Sequence, residues 1–420
     1  MRSHEISAKQ PATDCLSAAR VAAVCAAEIL GLAGYSLIPA LLPQFMEAWW
    51  LTSAQGGWLA GIMFAGYMVA VVPLVSLTDI VPARTVCLAS SLLGALSCFG
   101  LALSDDFGCA LGFRALAGIA LAGMYMPGLR VLTDGIDGPR RARVAAFYTS
   151  SFTVGASLSF LLGKFAALWT WRGAFALAGA AGTLGVLIAW AALPRRPANV
   201  TPPRQPLLFQ FRGALRNRDA LALALGYAAV IWGSAGLRQW IVVFLAFCAG
   251  DMSHGATGGW TLLATAALIG LLGVPAGFLG NELAIRFGLR ATAMAVFLVS
   301  AFAAGLFGLV AMLPFAIALL LSLAAGFVVQ GNFSNLTSGL VATAAPQHTG
   351  ATMALYSAIG FGGGFLGTWL FGIVLGWFGG PAVLAAWVFA FATSGLACLL
   401  GVAAMTCLRE RPETGRNPVG

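Results

Sequence analysis

Apolar residues in this chain run in long unbroken stretches, and polar residues collect in short gaps between them. A run of about 20 apolar residues crosses a bilayer as one helix, because in lipid every backbone polar group must be bonded internally. Twelve such runs can be marked. In the first half they are Val21–Leu42, Gly57–Leu77, Thr85–Leu103, Cys109–Leu132, Val144–Leu168 and Gly173–Leu193. In the second half they are Leu221–Cys248, Trp260–Leu279, Ala291–Leu313, Phe315–Val341, Ala351–Trp377 and Ala382–Cys407. The pattern predicts an all-α membrane protein of 12 transmembrane helices.

The longest polar interruption, "PRRPANVTPPRQPLLFQFRGALRNR", holds five prolines and six arginines and separates six runs from six. The expected organisation is an N-tail (1–20), a first six-helix bundle (21–193), a basic linker (194–218), a second bundle (219–407) and a C-tail (408–420). The end of the linker reads equally as a basic helix lying on an anionic leaflet or as a solvated loop.

The halves repeat one another. Ala117-Gly118 matches Ala325-Gly326, Gly123 matches Gly331, Tyr148 matches Tyr356, Gly155 matches Gly363 and Trp169 matches Trp377, all at a shift of 208. Such duplication implies two pseudo-symmetric bundles around a midplane site, a carrier's arrangement. An ion channel more often gathers identical subunits around a filter.

Composition agrees. The 420 residues are 60% hydrophobic and 9% charged, against about 25% charged in soluble domains. The net charge of +9 does not point to nucleic acid, because 18 of the 23 lysines and arginines fall on one side of the predicted topology. That is the positive-inside pattern, which puts both termini in the cytoplasm. The polar N-tail lacks a signal-peptide cleavage pattern, so the first run is expected to stay as an uncleaved insertion signal. The eight cysteines show no CxxC pair, the three histidines lie far apart, and no nucleophilic constellation or Walker-type loop is present. No enzymatic activity, metal or cofactor is expected.

One polar hairpin stands out, "SLTDIVPAR" at 76–84. "LTDIVPAR" resembles the loop 2–3 signature of the major facilitator superfamily (MFS), with Asp79 at the acidic position and Arg84 at the final basic one. Ile80 replaces a basic residue, Pro82 a glycine and Val75 the leading glycine. A second-half counterpart, "GNELAIRFGLR" at 280–290, keeps Arg286, Gly288 and Arg290 and displaces the acid to Glu282. The resemblance implies two six-helix bundles, a small-molecule substrate and alternating access in a bacterial inner membrane, within one functional chain. It makes Asp79, Arg84, Glu282, Arg286 and Arg290 gating-loop candidates, whose charge-assisted bonds break as the bundles rock. The competing reading has Asp79 capping the next helix and Arg84 anchoring to headgroups.

Charges inside a bilayer are costly and usually face a cavity. Glu28, Arg114 and Arg238 qualify; Lys164 is expected at the outer surface, and Arg130 near the inner end of its span. Arg114 opens "RALAGIALAGMY", resembling the superfamily's Arg-x-x-x-Gly pattern on span four, with Gln330 as the polar wall opposite. The resemblance places spans one, four, seven and ten around the cavity, so Glu28, Arg114, Arg238 and Gln330 are expected to converge. Trp232 and Gln239, which flank Arg238, join them as cavity candidates, although helix packing is the commoner role of such tryptophans. Two arginines to one acid favour an anion. Glu28 either exchanges a proton and couples transport to H+, or stays salt-bridged to an arginine. The leading expectation is an anion carrier, facilitated or proton-coupled, in symport. A multidrug/proton antiporter comes second, weakened because "SSFTVGASLSFLLG" lacks the Gly-Pro-rich motif of antiporters. A non-transporting membrane sensor comes third.

Overall fold

The computed structural model describes residues 17–134, 136, 138–194, 215–250, 259–343 and 349–408. Most of the N-tail, linker and C-tail lies outside the described residues, as do Asp251, His254 and His348.

The described chain is helical: α1 (Ala18–Gly31), α2 (Leu37–Ala48), α3 (Ser53–Leu77), α4 (Ala83–Ala102), α5 (Phe107–Thr133), α6 (Gly138–Ala192), α7 (Arg218–Cys248), α8 (Gly259–Leu271), α9 (Gly273–Phe287), α10 (Leu289–Phe307), α11 (Phe315–Gln330), α12 (Asn332–Thr343), α13 (Thr349–Trp377) and α14 (Leu384–Thr406). A left-handed residue, Thr170 (φ 76°), divides α6 into two membrane-length pieces. Among the described residues, eleven helical stretches are long and apolar enough to cross a membrane, with α8–α9 and α11–α12 each forming one of them.

The expected first span is not a single helix. Val21–Leu42 falls on α1 and α2, which are separated by a turn at 32–36. Pro39 is the local reason, since a proline has no N–H for the carbonyl four residues back and its ring crowds that carbonyl. The carbonyl concerned is that of Tyr35, and Gly31 and Gly34 beside it lower the cost of leaving the helix.

The internal repeat reappears as packing. A Cβ on Gly118 would lie 2.0 Å from the Met63 carbonyl oxygen, and one on Gly326 2.7 Å from Ile269. A Cβ on Gly155 would lie 2.9 Å from the Cα of Ile29, and one on Gly363 2.4 Å from the Ala228 carbonyl oxygen. Each matched glycine therefore brings equivalent helices together in its own half, which is how small residues build interfaces in lipid.

The face that carries the start of α1 and the end of α14 is here the terminal face. Toward the opposite face the halves close on each other. Gly57 and Gly61 of α3 pack on Thr368 and Phe365 of α13, and Gly372 packs on Ser53. Trp58 meets Phe365 and Trp369 at ring distances of 5.2 Å each, and Tyr67 stacks on Phe361 at 3.7 Å. On the other flank Ser157 of α6 meets Gly270 of α8. Among the described residues, the ring stacking and glycine contacts between α3 and α13 run from the opposite face to Met68 and Gly362 and go no further toward the terminal face.

Candidate functional site

Arg114 is buried on α5 and reaches the break between α1 and α2. Its Nη1 donates to the Gly34 carbonyl at 3.3 Å and its Nη2 to the Tyr35 carbonyl at 2.8 Å. The guanidinium thus takes the place of the missing Pro39 N–H, while its Nε stays buried without a hydrogen bond. The Ser159 hydroxyl accepts from the Ser36 backbone N–H at 2.9 Å and secures the same turn from α6.

Gln330 plays a parallel part in the second half. It is buried at the end of α11, and its Nε2 donates to the Ile269 carbonyl at 2.7 Å, beside the break between α8 and α9. Its Oε1 lies 2.3 Å from where a Cβ of Gly273 would sit, so a larger residue there would push the amide aside. Two expected cavity residues therefore bond to backbone carbonyls at interrupted helices.

Glu28 is buried on α1, 3% exposed. Its Oε2 accepts a hydrogen bond from the Ser151 hydroxyl of α6, and its Oε1 has no partner. No arginine pairs with it among the described residues, so the permanent salt bridge is not what the structure holds. Tyr125, Tyr148, Cys25 and Cys87 lie within its electrostatic reach.

Arg238 differs from all of these. It is half-buried on α7, about 15 Å from the end of that helix at Cys248, which is near mid-depth. Its Nη2 lies 3.7 Å from the Cβ position of Gly270, facing Ser157 across the boundary between the halves, and Tyr35 is within its electrostatic reach. It forms no hydrogen bond or ion pair among the described residues. Beside it Gln239 is buried with its Oε1 unpartnered. Trp232 packs its indole on Gly367 of α13, and its Nε1 is buried without a partner. Arg114 and Arg238 both lie within electrostatic reach of Tyr35, and Arg238 and Gln330 both reach the end of α8 at 269–270, whereas Glu28 bonds to Ser151 of α6 and to none of the other three. Arg238 sits at the boundary between the halves, whereas the hydrogen bonds of Glu28, Arg114 and Gln330 stay within their own halves.

Residues 24–368 match the family model described as Major Facilitator Superfamily. The chain belongs to that superfamily. No curated protein matches it. Among solved structures it is similar to a bacterial homolog of the human lysosomal transporter Spinster, in an inward-facing and unoccupied conformation. The TM-score is 0.70 at 19% identity, over 93% of this chain and 94% of the other. It is also similar to a mutant of the nucleoside transporter NupG, with a TM-score of 0.73 at 14% identity, over 93% of this chain and 100% of that one. At these identities the likeness is one of fold. As a member of this transporter superfamily the protein is an integral multi-pass membrane protein.

The loop with the superfamily signature is braced within the first half. Asp79 accepts from Arg130 Nη1 at 2.9 Å, and Arg130 also reaches the Thr78 hydroxyl at 2.5 Å and Asp134 at 3.7 Å. Arg84 donates to the carbonyls of Trp190 at 2.6 Å and Leu193 at 3.2 Å, capping the end of α6. Neither the capping role for Asp79 nor headgroup anchoring for Arg84 describes these contacts. Pro82 opens α4, where a proline's missing N–H costs nothing. In the second half Glu282 pairs with Arg286 at 2.8 Å along α9, and Arg290 sits in the first turn of α10.

Two further residues complete these contacts: Arg130, the partner of Asp79, and Ser151, whose hydroxyl donates to Glu28. In the sequence Arg130 carried a signal in being a cation at a helix end, four residues before Asp134. Ser151 carried none, because one serine in a serine-rich helix is not marked out by its neighbours.

Proposed function

We propose that this protein moves a small anion by alternating access, with Arg238 receiving the anion and Glu28 linking the movement to protons. Arg238 carries this reading. A charge near the bilayer midplane costs about 2.5 to 3.5 kcal/mol on insertion scales, and chains retain one where it meets a counter-charge or a water-filled cavity. The chain supplies no carboxylate to Arg238 among the described residues, and its half-buried guanidinium lies at the boundary between the halves, near Gly270 of α8 and Ser157 of α6. An anionic substrate is the counter-charge that fits.

The arginine distribution supports a cytoplasmic terminal face, and with that orientation the packing of α3 on α13 closes the outer side. The arrangement is then inward-facing, in a bacterial inner membrane, with the whole pathway inside one chain. The gating loop would stabilise one state through Asp79 and Arg130, since charge-assisted bonds of this kind have to break as a helix end moves.

Purified protein in liposomes under an imposed pH gradient tests the proposal. Anion uptake that falls at least about tenfold in Arg238→Ala, and partly returns in Arg238→Lys, is expected. Uptake of an anion unaffected by Arg238→Ala would remove Arg238 from the site. Glu28 favours one second reading, multidrug/proton antiport, because an unpaired buried carboxyl also suits a cationic cargo. Glu28-dependent cation flux in the same liposomes would decide for it.

A further inference from the structure

The wall beside Arg238 is aromatic. Tyr35, at the break between α1 and α2, meets Phe152 of α6 edge to face at 5.6 Å, and Tyr125 of α5 meets the same ring at 4.9 Å. From the other half Phe361 stacks on Tyr67 at 3.7 Å. Tyr35 and Phe361 both pack on the cluster of Met63, Phe64 and Ala235. Ala235 is three residues before Arg238 on α7, hence on the same side of that helix. Tyr35, Tyr125, Phe152 and Phe361 are half-buried.

The repeat separates rings that serve the fold from rings free to serve a ligand. Tyr125 and Tyr148 have aromatic equivalents in Phe333 and Tyr356: the first two stack on each other, and the second two both meet Tyr227 in their own half. Tyr35 and Phe152 have no aromatic counterpart. Their equivalents are Val243 and Gly360, although the surrounding helices are duplicated. A bundle of this kind therefore forms without rings at these positions; Tyr35 lies within electrostatic reach of Arg238, and Phe152 stands edge to face against Tyr35.

We propose that the anion is aromatic, a planar carboxylate whose ring stands against Tyr35 and Phe152 while its carboxylate meets the Arg238 guanidinium. This rests on Arg238 being the anion site. Offset or edge-to-face contact with two rings favours a flat conjugated body over an aliphatic chain of equal size. The planar fork of arginine suits a carboxylate. A small inorganic ion would leave the ring wall without a contact.

The test uses full-length protein in liposomes with labelled benzoate, 4-hydroxybenzoate and indole-3-acetate as probes, beside acetate and inorganic phosphate. Saturable uptake of at least one aromatic probe, roughly tenfold above acetate and phosphate, is expected. Phe152→Leu should raise its KM roughly fivefold, Phe152→Trp should restore it, and Phe361→Leu should act in the same direction as Phe152→Leu. Size-exclusion profiles establish that each variant is folded. Acetate or phosphate uptake equal to that of the aromatic probes, or an unchanged KM in folded Phe152→Leu and Phe361→Leu, overturns the aromatic assignment. If that flux still falls in Arg238→Ala, the anion site stands and only the ring contact is lost. If no anion flux depends on Arg238, both fail.

Discussion

The Tyr35 carbonyl oxygen lies 2.8 Å from Nη2 of Arg114, a residue 79 positions away on another helix. The bond exists because Pro39 leaves that carbonyl without its helical donor, so an arginine resembling a superfamily motif residue here completes a broken helix. Arg114→Ala would leave the Gly34 and Tyr35 carbonyls unpaired and should cost about 2 to 4 kcal/mol. Pro39→Ala restores the backbone N–H, and the double variant should then lose less than the sum of the single changes. Thermal unfolding in detergent measures both, and strict additivity would sever the link between Pro39 and Arg114.

Glu28→Gln should abolish the dependence of uptake on an imposed pH gradient while leaving exchange of substrate across the membrane intact. Ser151→Ala removes the hydroxyl that donates to Glu28 and should shift the pH profile without abolishing transport. Gradient-driven uptake that survives in Glu28→Gln would assign the coupling elsewhere.

Asp79→Asn should slow transport several-fold with little change in melting temperature. Asp79 and Arg130 are 36% and 42% exposed, and an ion pair so open to solvent contributes less than about 1 kcal/mol. A wild-type rate in the variant would show that this pair braces α5 and does not govern the conformational change.

Gly118→Ala should be strongly destabilising, because its methyl would lie 2.0 Å from the Met63 carbonyl oxygen, in the backbone of α3. Gly112→Ala on the same helix meets nothing within 4 Å and should be neutral, or stabilising by about 0.5 to 1 kcal/mol. Expression level and melting temperature read both, and equal behaviour would deny the close packing of α3 on α5.

Trp58→Ala should loosen the closure of α3 on α13, since its ring meets both Phe365 and Trp369. A cysteine placed at Gly61 should react faster with a membrane-impermeant maleimide added outside in that variant than in a Trp58 background. An unchanged rate would mean that the glycine contacts alone keep this face shut.

Length and hydropathy determined the helices, because a bilayer accepts little else and each apolar run carries its own evidence. The repeat at 208 fixed which glycines would do equivalent work, and Gly118 with Gly326 and Gly155 with Gly363 do it in the two halves. Even the break in the first span was written locally, in Gly31, Gly34 and Pro39. What the linear pattern could not carry was direction. Arg114, Gln330 and Arg238 look alike as polar residues in apolar runs, yet the first two turn to carbonyls freed on neighbouring helices and the third lies at the boundary between the halves. That choice depends on which backbone groups another helix leaves unpaired, and only helices already packed together put those groups within reach.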